Sequence, residues 1–427
     1  MKKIIFGVLA IGLIVLVTFL FNLGQRPDRT YPSFPLQPEN NAATVPDSIP
    51  LRDVVVTGNN WDGVITIFDP NTYEIIKKIS ALPDREERFE DIYSGFKRRL
   101  AAGFIREFIG EGNDQLVDDM FTSNDGRYIY ASRPSFADVV ALDVNSGEIV
   151  WRTPVDGLRA DHSAISPDGK IFLVSASTAR KVHAIDVETG KSVGEFESGD
   201  QPHENTYSED GKRIYHASIG KVFVASPSLD FLKGDRWFQI VDANTYEIIR
   251  RVDMKERLEA AGYDMMDRAI RPMAITKDEK FAYLQISLFH GFFEYDIEND
   301  RITRKLDLPI PEGNQDMAPG DHLLNSGHHG IALSGDDKTI CVAGTMDGYI
   351  AIVDRETFEY KTIQLSDDPK EAKPYWTTSS KDGTKAYVSI SGLDKVSVVD
   401  YATGQVVAEV PVGNHPQRVR NGQLRLK

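Results

Sequence analysis

The chain reads as an all-β protein, a seven-bladed β-propeller, and three observations predict it. An apolar run closed by Asp and a polar turn recurs with its Asp at Asp69, Asp143, Asp186, Asp242, Asp296, Asp354 and Asp400. A second signal, small residue–x–Asp/Asn–polar, alternates with it. It occurs at Ser123–Gly126, Ser166–Gly169, Ser208–Gly211, Thr276–Glu279, Ser334–Asp337 and Ser380–Gly383, and in worn form at Val419–Gly422. Repetition every 40–55 residues or so, with four short strands per unit, is the mark of such a ring. Thirdly, the first repeat, Val54–Ile79, lacks an inner strand, while the last, Gln417–Leu426, has only that strand. The two ends are therefore expected to share one blade, which removes the open sheet edge.

The elements before the ring come first. Lys2 and Lys3 precede an uninterrupted apolar stretch from Ile4 to Phe21. This is at the lower limit for a spanning helix and longer than the core of most secretory signals. Residues 1–25 are read as a transmembrane anchor or uncleaved signal, with the lysines inside and the body outside the cytoplasm. A cleaved signal is the alternative and gives the same compartment, periplasm or cell surface. Residues 26–50 hold prolines 27, 32, 35, 38, 46 and 50 and read as an extended linker. Residues 51–427 form the propeller.

Within a repeat, the S-x-D-G turn joins strand A, nearest the axis, to strand B, and the Asp turn joins C to D. Ile171–Ser175, Val182–Val187 and Ser192–Glu197 show strands B to D, rich in β-branched residues between turn formers. Extra residues fall in particular connections. Asp84–Ile109 carries Phe89, Ile92, Tyr93, Phe96, Leu100, Phe104, Ile105 and Phe108 at helical spacing, with Asp84 and Glu87 resembling a capping box. Met254–Ala261 is a second helical piece, and Asp307–Gly327 is rich in Pro and Gly. These three are D-to-A connections, and Gly220–Asp235 is a B-to-C loop. All four are expected over one face, roofing a pocket. Phe104 and Phe108 pack on the blade edge or line that pocket.

The same face collects the histidines. Nine are present; His162, His203, His322, His328, His329 and His415 fall in D-to-A connections or at the start of strand A, His216 and His290 at B-to-C connections. Where strand A enters the channel, the ring reads Asp118-Asp119, Asp161-His162, His203-Glu204, Arg271, His328-His329, Tyr375-Trp376 and Asn414-His415. Side chains there converge from different blades, as a concave site requires. His162, His203, His328, His329 and His415 are the candidate metal ligands. Five imidazoles with carboxylates and no thiol suit copper or zinc. His415 taken alone is read as a structural residue at a turn; for the set, a metal site and a polar-lined channel remain open. Arg271 is a candidate clamp for an anionic substrate, or a partner of Asp161 or Glu204. Tyr375 is a candidate proton donor, or a channel-lining aromatic.

Ser166-Pro167-Asp168-Gly169, Ile185-Asp186-Val187-Glu188-Thr189-Gly190 and the closing Val412-Gly413-Asn414-His415-Pro416 resemble the wording of YVTN-type seven-bladed propellers across Leu51–Lys427. The superfamily includes the haem domain of a nitrite reductase, nitrous oxide reductase and lactonases. Copper propellers such as nitrous oxide reductase and thiocyanate dehydrogenase gather histidines from several blades, a His-His pair included. His328-His329 is similar in kind, and no ligand is carried over individually.

Formal charge is −15, with no basic block in the ring, so a nucleic-acid partner is excluded. The single Cys341 allows neither an internal disulfide nor a thiolate cluster. There is no G-x-S-x-G elbow, phosphate loop or C-x-x-C-H haem attachment, and the Trp-rich wording of quinone propellers is missing. The expectation is a membrane-anchored, extracytoplasmic propeller with a histidine-lined metal site, and copper-dependent oxidoreduction of a small-molecule substrate as its first-choice activity. The alternatives are a non-catalytic propeller binding a ligand or envelope protein, and a hydrolase or lyase using His203 or His329 as general base.

Overall fold

The computed structural model describes residues 20–32, 34, 49–265 and 267–427, less the side chain at 227. Seven four-stranded antiparallel sheets form the blades. Blade 1 combines Pro416–Leu424 as its inner strand with Arg52–Asn59, Val64–Phe68 and Ile75–Ser80. Its closing register pairs Val55 with Asn421 and Thr57 with Val419. The inner strands of blades 2 to 7 are Met120–Thr122, Ala160–Ile165, Pro202–Tyr207, Ile270–Ile275, Ile331–Leu333 and Pro374–Ser379.

The repeat signals make the turns by a local mechanism. Ser166 Oγ accepts from Ile171 N at 2.9 Å and donates to Asp168 Oδ1, while Gly169 takes φ +70°. A side-chain oxygen thus replaces the missing ladder partner, and only Gly adopts that φ without strain. Asp186 Oδ1 accepts from Thr189 N at 2.8 Å in the C-to-D turn.

The blades are held by apolar packing between neighbours. The interface of blades 7 and 1 buries Val55, Phe68, Tyr387, Val396, Val398 and Val419. That of blades 4 and 5 buries Tyr215, Phe238, Phe293 and Tyr295. Each fully buried Val or Phe contributes about 1.5–3 kcal/mol. The closing junction therefore has the same apolar seam as the continuous ones.

The insertions differ in part from expectation. Asp84–Ile109 is two helices, Arg85–Ser94 and Phe96–Phe108, separated by Gly95 with extended backbone. Asp84 makes no capping bond; its carboxylate accepts from the buried Arg133 instead. Met254–Ala260 is a helix capped by Asp253, but Met254 and Leu258 are buried in the seam between blades 4 and 5. It thus packs on the ring and does not roof the channel. Asp307–Gly327 winds through three short turns, and Gly220–Asp235 contains the turn Pro227–Leu232. The first and fourth insertions meet, with Phe104 5.4 Å from Phe223 and 4.7 Å from Phe108. Phe104 therefore packs among the insertions, while Phe108 touches it but stays exposed.

Most of the apolar N-terminal run, residues 4–19, lies outside the described residues. Among the described residues no helix is long and apolar enough to cross a membrane. Leu20–Leu23 is helical and approaches Gly103, where a Cβ would meet the Leu23 carbonyl at 1.8 Å. Arg106 donates to the carbonyls of Leu23 and Gln25. Arg26 pairs with Glu86 and Arg29 with Asn113, so the start of the linker lies bound along the first insertion.

Candidate metal centre

Strand A of every blade, or the two residues leading into it, brings a side chain to one pocket at the channel mouth: Asp118, His162, His203, Arg271, His329, Tyr375 and Arg418. Ile109, Val222 and Leu324, from the first, fourth and third insertions, cover it. The enclosed space is about 20 Å³, room for roughly one or two water-sized groups.

Of the candidate ligands, three converge. His162, His203 and His329 place ligand nitrogens within 4.8 Å of one another, all buried. His328 and His415 do not join them. His328, next to His329 on extended chain, projects to the opposite side and bonds Asp347 Oδ2 at 2.8 Å. His415 has φ +57° and lies flat on Trp61, ring centroids 3.7 Å apart. Its blade presents Arg418 at the channel instead.

The trio is neutral. Burial, then the positive charge of Arg418, holds His162 well below the usual imidazole range. Burial followed by Arg271 does the same for His203 and His329. Tautomers follow from the partners. Arg418 Nη2 donates to His162 Nε2, so the proton is on Nδ1, which donates to Glu204 at 2.8 Å. Burial pushes Glu204 up to about 8; its oxygen accepts from Nδ1 in either protonation state. His329 Nδ1 lies 3.4 Å from the Tyr375 carbonyl, leaving Nε2 as a lone pair facing His203 Nε2 at 3.4 Å. Buried His203 Nδ1 has no partner.

His203 and His329 fit two positions of a four-coordinate ion. Two nitrogens bound at about 2.05 Å to a tetrahedral centre stand about 3.3 Å apart. Glu204 and the Tyr375 carbonyl would be the outer partners that orient ligating rings. One feature opposes the fit, because Arg418 occupies the lone pair of His162.

Arg271 is buried and pairs with neither Asp161 nor Glu204. Its Nε donates to Ser326 Oγ at 2.8 Å and its Nη2 to the Leu324 carbonyl, while Nη1 has no partner. Burial lowers it to about 10. Arg418 Nε and Nη1 are likewise unpartnered. Asp161 is taken by Arg159, whose Nε reaches Gln115 Oε1 at 3.0 Å. Tyr375 stacks on His329 at 4.2 Å, and burial raises its phenol to about 12. Each buried, unpaired guanidinium N–H costs about 1–3 kcal/mol unless an acceptor fills the site.

Arg159, Arg418, Asp347 and the role of His290 escape the sequence reading. Period-two alternation carried one step further would find Arg159, two residues before Asp161 on the same side of the chain.

Residues 135–250 match a family model described as outer membrane protein assembly factor BamB, spanning blades 2 to 4. No curated protein matches the chain. Among solved structures, the chain is similar to Kuenenia stuttgartiensis hydrazine synthase, with 18% identity and a TM-score of 0.53, over 69% of this chain and 86% of that one. At that identity the likeness is one of fold. The fold and site define a seven-bladed β-propeller with histidine and carboxylate groups able to hold a metal.

Proposed function

We propose that this chain is a membrane-anchored, extracytoplasmic propeller of the YVTN type that binds copper or zinc on His162, His203 and His329. Its proposed activity is copper-dependent oxidoreduction of a small anionic substrate. One observation carries the reading: three neutral, buried imidazoles from three blades, with ligand nitrogens within 4.8 Å, beneath a roof of insertions. Copper propellers that collect histidines across blades support it by analogy.

A bound ion would supply Lewis acidity or a redox couple. The remaining work falls to the chain. Arg271, fixed by Ser326 and Leu324, directs an unused N–H at the substrate's negative charge. Tyr375 is protonated at neutral pH and can donate a proton, while its ring sets the plane of His329. Ile109, Val222 and Leu324 exclude bulk water. The chain leaving Leu20–Leu23 along the first insertion supports a pocket face turned to the bilayer, beside exposed Phe21, Phe96 and Phe108.

A second reading is a metal-free pocket for a small anion, non-catalytic. The donation from Arg418 to His162 Nε2 and the unpartnered nitrogens of Arg271 and Arg418 favour it. One experiment separates the two. The full chain is purified in detergent from an oxidising compartment and its copper, zinc and iron are counted, with and without His203→Ala/His329→Ala. Loss of one equivalent in the double variant is the result expected of the metal site. An unchanged count, with nitrite binding weakened at least tenfold by Arg271→Gln, would move the assignment to the anion pocket.

A further inference from the structure

Between blades 5 and 6, outside the central pocket, four polar side chains meet under the third insertion. His290 stands in the B-to-C turn of blade 5, His322 in the insertion, His328 before strand A of blade 6, and Asp347 in the B-to-C turn of blade 6. We propose that His290 and His322 form a second transition-metal site, for copper or zinc, with Asp347 as the carboxylate that orients it.

Lone pairs on the facing rings point to the site. Asp347 is buried, and its Oδ2 faces two ring nitrogens, His290 Nδ1 and His328 Nε2 at 2.8 Å, as a carboxylate oxygen that accepts from both. His290 Nδ1, 2.6 Å from Asp347 Oδ2, therefore carries a proton. His322 Nδ1 lies 3.1 Å from the Ala318 carbonyl, which also only accepts, so it carries a proton too. With one proton on each ring, the remaining nitrogen, Nε2, is a bare lone pair. These two atoms face each other at 3.2 Å.

Two lone pairs at that separation repel unless a positive species bridges them. The spacing is that of two nitrogens on one tetrahedral ion, about 3.3 Å. Both rings already have the outer hydrogen bond that ligating histidines make, one to a carboxylate and one to a carbonyl. None of these atoms belongs to the inner trio, so this site stands or falls independently of the proposed function.

The test uses the full chain carrying His203→Ala/His329→Ala, which removes the inner donors. It is exposed to Cu2+ or Zn2+, desalted and counted, and the Cu2+ form is examined by electron paramagnetic resonance. One ion per chain with hyperfine coupling to two imidazole nitrogens is expected. Adding His322→Ala, on an insertion outside the blades, should weaken binding at least tenfold and remove one nitrogen, with an unchanged circular dichroism spectrum. An ion retained after His322→Ala with unchanged affinity and both nitrogen couplings would overturn the proposal. So would no bound ion at all, with nitrogen NMR showing a proton shared by the two rings. If the inner variant fails to fold, His322→Ala alone must lower the metal count of the otherwise native chain by one; an unchanged count refutes the site.

Discussion

His328 and His329 are neighbours in the chain but serve opposite electrostatic regions. His329 enters the channel among Arg271 and Arg418, whose free N–H groups favour an anion beside the neutral imidazoles. His328 enters the cluster of His290, His322 and ionised Asp347, which favours a cation. An extended strand start sends successive side chains to opposite sides, so one dipeptide divides its histidines between two environments. The lesson is that a count of histidines on one face overstates any single site on that face.

The comparison breaks most visibly at Asp347. Asp347→Ala leaves the N–H groups of His290 and His328 buried without their acceptor. It should cost about 3 kcal/mol in denaturant unfolding, while nitrite binding at the inner pocket stays within twofold. A large change at both places would mean that the two regions are one site.

Acid sharpens the contrast next. His216 sits behind the inner trio, bonded to Asn205 and Ser198, with no carboxylate beside it. Burial lowers it to about 3. A folded pKa below the unfolded 6.5 means that the unfolded chain binds the extra proton between those values. Stability is therefore complete above pH 6.5 and falls as pH drops toward 3. The slope is about 1.4 kcal/mol per pH unit for this proton. In metal-free protein, His216→Asn should remove one proton's worth of that slope, read from unfolding midpoints between pH 4 and 6.5. An unaltered slope would show that His216 is not held neutral.

The smallest effect belongs to His415. Loss of its stack on Trp61 through His415→Asn should cost about 0.5–1.5 kcal/mol and leave metal count and nitrite affinity unchanged. A lost metal equivalent would restore it to the inner site.

Much of the architecture was legible because its signals are local. Ser-x-Asp-Gly and Asp-x-x-Thr-Gly specify turns by their own side-chain bonds, and their spacing yields blade number, strand order and closure. Six of the seven channel positions, from Asp118 to Tyr375, follow from counting back from each turn. The seventh does not, since the worn repeat of blade 1 shifts the count from His415 to Arg418. The helix break at Gly95 is another miss. Helical spacing runs through it unbroken, whereas Gly95 takes extended backbone; the expected cap fails separately, because Asp84 is drawn to Arg133, a partner 49 residues away.

By itself, then, the amino-acid order determined the ring, its closure and the face on which polar groups collect, because each depends on contacts within a repeat or on alternation along a strand. Only the tertiary structure decided which imidazoles share an ion-sized space, that Arg418 stands against His162, and that His290 and His322 turn bare nitrogens toward each other. Those relations join residues up to 256 positions apart. Their distances are set by how seven sheets pack around an axis, to within a fraction of the reach of a metal bond.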